Sequence, residues 1–185
     1  MFRINPRTVL SASLFCLSFG AMSSFASAQV SASADLNATN SSSFNRNNTV
    51  VRWEQLVGLI TAQGLSNPVA NIASGTTPWH VHNGAAAVDL ANGEAAFFVQ
   101  GLVLIGGDTS GTNGPVNSVE GALVCDAGGT DQTATYTAAV PLDVQGNAEF
   151  KGRLESLPSS TCSNPIFLVL NAAKGVWIAT GAVRR

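Results

Sequence analysis

The sequence predicts an all-β fold: an antiparallel β-sandwich of Ig-like or Greek-key type, or a partly open barrel, with about eight or nine strands. Two observations predict it. Short apolar or alternating runs recur at spacings near ten residues, separated by Gly, Pro, Asn and Asp. The densest of these runs also pair off as hairpins.

The first hairpin is Ala85 to Ile105. Asn92-Gly93 is the dipeptide of a two-residue type I′ turn, so Leu90 is expected to face Ala95, Val88 to face Phe97 and Ala86 to face Val99. One face is then wholly apolar, and the other carries Ala87, Asp89, Glu94, Phe98 and Gln100. From Leu102 to Ile105 the run is apolar on both faces, as in a strand covered from both sides. That predicts a central strand, with a bulge or close backbone approach at Gly101.

Thr49 to Ile60 reads two ways. Trp53, Leu56, Val57 and Ile60 sit at helical spacing, whereas Thr49-Val50-Val51 opens like a strand. Strand is preferred, because nearly everything downstream is β. Val69 to Ile72 and Trp79 to Val81 are short extended pieces, and Gly106 to Pro115 is a long loop. Val116 to Cys125 is a strand. Thr133 to Ala138 alternates, and so does Asn147 to Glu155, with Ala148, Phe150 and Leu154 on one face and Lys151 and Arg153 suiting an edge. Ile166 to Leu170 and Val176 to Val183 form a second core hairpin.

The N-terminus carries Arg3 and Arg7, an apolar run from Val9 to Phe19, and Ala26-Ser27-Ala28. Residues 1–28 thus read as a secretory signal peptide cleaved between Ala28 and Gln29, for a periplasmic or extracellular protein, most simply bacterial. No later segment reaches about 18 uninterrupted apolar residues, so no retained membrane segment is expected. Residues 29–48 are polar and low in complexity, a flexible spacer. Residues 49–185 are expected to form a single β domain.

Of nine basic residues the leader takes two, and of eleven acidic residues none, so the remainder carries a net charge of −4. The basic residues are scattered, which speaks against nucleic acid. The charged fraction, 11%, is well below that of most soluble domains and offers little protection against self-association. Cys16 leaves with the leader. In an oxidising compartment Cys125 and Cys162 are expected to form one disulfide, stabilising by roughly 4 kcal/mol on a chain-entropy argument. The alternative of free thiols in a redox or metal site lacks a C-x-x-C spacing.

Several spaced residues carry a resemblance: Trp79-x-Val81 with Gly84 and Val88, Gly101 to Leu104, Glu120 to Cys125, Gly146-x-Ala148-x-Phe150 and Trp177-x-Ala179-x-Gly181. Over residues 50 to 183 the chain resembles a group of small exported bacterial proteins of unknown function. The resemblance implies export and an all-β fold, and it transfers no catalytic residue.

Chemistry is sparse. His80 and His82 are the only histidines, and on an extended strand residues two apart share a side, so both imidazoles would reach one Zn or Cu ion. Asp89, Glu94 or Asp108 would have to supply a third ligand, and the plainer reading is two exposed rim histidines. Gly107-Asp108-Thr109-Ser110-Gly111 is similar to the loop around a trypsin-like nucleophile but has one residue too many, so a turn-rich loop is preferred. Trp53, Trp79 and Trp177 suit either a sugar-binding platform or the core, with core the commoner role. Acidic residues lie in no evident motif. The expected function is therefore a non-enzymatic exported β-sandwich acting as a structural, adhesive or binding module, its partner and oligomeric state undetermined. The alternatives are a metal-binding protein using the H-x-H pair and an exported hydrolase acting through acidic residues.

Overall fold

The computed structural model describes residues 49–159 and 161–185, and the expected leader and spacer lie outside them. The described residues form eleven strands and no helix: β1 Val50–Gly58, β2 Trp79–His80, β3 Asn83–Asp89, β4 Glu94–Gln100, β5 Val103–Leu104, β6 Ser118–Cys125, β7 Thr133–Tyr136, β8 Val140–Pro141, β9 Ala148–Arg153, β10 Ile166–Asn171 and β11 Val176–Arg184. A nine-stranded antiparallel sheet runs in the order β7-β6-β10-β11-β1-β3-β4-β9, with β8 also on β6, while β2 and β5 make a separate pair.

Ring contacts show how this sheet is rolled. Phe97 on β4 and Phe167 on β10 stand four strand positions apart, about 19 Å in a flat sheet. Their ring centroids are 5.7 Å apart. Trp53 of β1 lies 5.5 Å from Phe167, and Phe150 of β9 lies 5.9 Å from Phe97. These four aromatics fill the concave side. Gly121 on β6 makes room for them, since a Cβ there would sit 2.6 Å from the Phe167 ring.

The two ends of the sheet meet along a short seam. Thr137 bridges Leu154, and the Glu155 N–H donates to the Tyr136 carbonyl at 2.7 Å. Just beyond, the Thr135 hydroxyl donates to the Ser156 carbonyl at 3.0 Å. Thr137 is fully buried, and its hydroxyl oxygen accepts the Gly121 N–H at 2.9 Å. The result is a partly open barrel, a half-barrel with its interior filled by side chains, and β9 is an edge strand as its alternation implied.

Some sequence expectations change and others hold. The hairpin of β3 and β4 has a four-residue loop, Leu90 to Gly93, and Val88 pairs with Ala95 and Ala86 with Phe97. Asp89 dictates this: its buried carboxylate accepts from the Ala91 N–H and the Thr49 hydroxyl, and its carbonyl accepts the N–H of Gly93, whose φ is +72°. The register moves by two residues, so every side chain keeps its face. The type I′ geometry occurs instead at Ala70-Asn71, both at positive φ, between Val69 and Ile72.

At Gly101 there is no bulge inside a central strand, but the expected close backbone approach is present: a Cβ there would sit 2.9 Å from the His82 Cβ. There the chain turns at φ +62° and leaves the main sheet, and Val103 and Leu104 pair with His80 and Trp79. β4 is accordingly next to the edge, and the centre is held by β11 and β1. The strand preferred for residues 49–60 holds as β1, and the helical spacing of Trp53 and Leu56 reflects irregular register around Gln55, which turns both buried side chains to one side of the strand.

Candidate functional site

The structure separates most of the residues that the sequence put forward. His80 ends β2, and the chain bends before His82, whose N–H donates to the Gln100 carbonyl at 3.0 Å. Both histidines are exposed, on either side of that bend rather than along one regular strand. Asp89 and Glu94 sit at the opposite end of the β3 and β4 hairpin, about 20 Å away along an extended strand. Asp108 lies exposed in the loop after β5. Among the described residues no group of three His, Cys, Asp or Glu side chains is placed to hold a metal ion.

Ser110 is engaged within its own loop, where its hydroxyl oxygen accepts the Gly106 N–H at 3.1 Å. Trp53, Trp79 and Trp177 are all buried, at 2%, 4% and 3% exposure, so they build the core and offer no platform.

Two other constellations do form. At the seam, Glu120 on β6 comes under the influence of Glu155, which follows β9. Burial, and secondarily the negative charge of Glu155, raise the Glu120 carboxyl above the usual carboxylate range. Sequence reasoning missed this pair because nothing local marks two glutamates brought together only when the sheet rolls closed.

The second constellation is structural. Cys125 ends β6, and its sulfur lies at disulfide distance from that of Cys162, with Cα atoms 4.8 Å apart. Next to it, the Asp126 N–H donates to the Ser163 carbonyl at 2.7 Å, and its carboxylate accepts from the Ser163 N–H and hydroxyl. A similar clamp closes the turn before β9. There the Asp143 carboxylate accepts from the N–H groups of Asn147 and Gln145 and from the Asn147 side-chain amide. These hydrogen bonds, the Asn147 N–H first, hold its carboxyl below the usual range. The same turn fixes the departure of the chain at Gly101, since Asn147 accepts the Gly101 N–H and Gly146 accepts the Leu102 N–H.

Comparison with protein-family models, with curated proteins and with solved structures gives no match. Among the described residues no helix is long and apolar enough to cross a membrane.

Proposed function

We propose that this chain is an exported, non-enzymatic β module that acts through its outer surface in a structural, adhesive or binding role. The observation that carries the reading is the filled interior. Trp53, Phe97, Phe150 and Phe167 occupy the space where a ligand-binding barrel would keep a cavity, and recognition is left to the exterior. Export, to the periplasm or beyond, is supported by the leader-like residues 1–28 and by two cysteines at bonding distance, a pairing that persists in oxidising compartments.

Expression of the full chain in a bacterium tests this. The expected product lies outside the cytoplasm, starts at Gln29 and resists thiol alkylation until reduced. A cytoplasmic product starting at Met1 with two reactive thiols overturns it.

A second reading, an exported hydrolase acting through acidic residues, is favoured by Glu120 beside Glu155 alone. It is tested with a panel of glycosides. Turnover that disappears in Glu120→Gln replaces the first reading with this one.

A further inference from the structure

The outer side of the β1, β3, β4 and β9 quarter has a pattern that the filled interior does not explain. Ala86, Val88, Ala95, Phe97 and Val99 are buried, so the alternate residues Ala85, Ala87, Ala96 and Phe98 turn outward, where they are half-buried. Register places them in two rows. Arg52, Ala87, Ala96 and Lys151 are neighbours across four strands. Ala85, Phe98 and Glu149 form the next row, and Glu54 lies two residues beyond Arg52 on β1, ion-paired to Arg185 at 3.1 Å. A basic row and an acidic row thus flank a centre of three alanines and one phenylalanine.

We propose that this face binds a second copy of the chain, face to face, about a two-fold axis lying in the interface, perpendicular to the strands and midway between the rows. The inference deepens the surface-acting reading and rests on it. Such an axis reverses strand direction and keeps position along a row, so each row falls on the other row of the copy. Lys151 then stands over Glu149 of the copy, and Glu149 over Lys151. Phe98 stands over Ala96, a large side chain over a small one, and Ala85 stands over Ala87.

Charge and size are therefore both self-complementary under one operation, which a surface shaped for a foreign partner has no reason to satisfy. The low charge of the chain leaves little repulsion to oppose the contact. Because the sheet curls away from the contact, the buried area is modest and the dimer is expected to be weak.

Sedimentation velocity over a concentration series, on the protein purified after export, is the test. The wild type is expected to dimerise. Lys151→Glu sets acidic groups against each other and is expected to weaken the dimer by about tenfold or more. The exchanged double variant Lys151→Glu/Glu149→Lys restores the pairs and is expected to recover it. Phe98→Ala removes the protruding side chain and weakens the dimer without touching the charges, and near-ultraviolet circular dichroism verifies that each variant folds.

A wild type that stays monomeric up to about 1 mM overturns the proposal. So does a dimer indifferent to both Lys151→Glu and Phe98→Ala. A monomer that is exported and inert leaves the surface-acting reading standing, whereas a dimer that hydrolyses glycosides through Glu120 removes that reading and leaves the interface.

Discussion

β10 and β3 are strands of similar length in one sheet, and they are treated by the fold in opposite ways. From Phe167 to Asn171 every residue of β10 is buried, whichever way its side chain points. In β3, buried Gly84, Ala86 and Val88 alternate with half-exposed Ala85 and Ala87. The reason lies in the neighbours. β10 is flanked by β6 and β11, and the segment that follows β1 folds back onto the start of β11, where the Trp177 N–H donates to Ala73 and Trp177 accepts from Gly75. Among the described residues nothing comparable covers β3 and β4. Both halves of the barrel therefore send buried side chains inward, and they differ in that one is also covered outside while the other presents an ordered outer surface.

That contrast is sharpest at two phenylalanines. Phe167→Ala removes a fully buried ring that touches both Trp53 and Phe97, and it is expected to lower unfolding free energy by about 3–5 kcal/mol. Phe98→Ala, on the wet face, is expected to cost about 1 kcal/mol or less. Urea denaturation of the two variants measures the gap, and equal losses would erase the distinction between the halves.

The crosslink comes next in size. Replacing both Cys125 and Cys162 by Ser is expected to cost roughly 2–4 kcal/mol. The bond ties the end of β6 to the approach to β10, so amide exchange should accelerate most in β6 and β7, and least in β3.

The smallest effect is electrostatic and differs in sign between the halves. Glu120 is held above the usual range, so its charged form is disfavoured in the fold. It destabilises at neutral pH, and the penalty fades as pH falls from the raised value to below 4.5. Glu120→Gln should therefore raise Tm at pH 7 and leave it unchanged near about pH 3. Asp143 is held below the usual range, so its contribution is present above pH 3.8 and is lost as pH falls through the lowered value. Asp143→Asn should lower Tm at pH 7 and lose that effect in acid.

Much of the fold was legible in the residues, and where it was not the cause is particular. The alternation of Ala148, Phe150 and Leu154 identified a one-sided strand, and the apolar density of residues 166–183 identified a hairpin, because both signals are local. The faces of β3 and β4 were also legible, but their register was not, since the Asp89 carboxylate overrode the turn preference of Asn92-Gly93. The run Leu102 to Ile105 resembled a central strand only because Leu102 and Leu104 enter the core from a separate small sheet. The candidate site was the least legible part. His80 and His82 are two apart in sequence yet separated by a bend, whereas Glu120 and Glu155 are remote in sequence and come within electrostatic reach only once the sheet is rolled.

The path between the two cysteines has one last consequence. With the Cys125–Cys162 bond formed, β7, β8 and β9 lie on a covalent ring, and the other described strands lie outside it. A protease that cuts the exposed stretch from Gly128 to Asp131 opens this ring without releasing a fragment. The nicked chain stays one molecule until a reductant parts it, and then yields two pieces, one ending with β6 and the other carrying β7 onward.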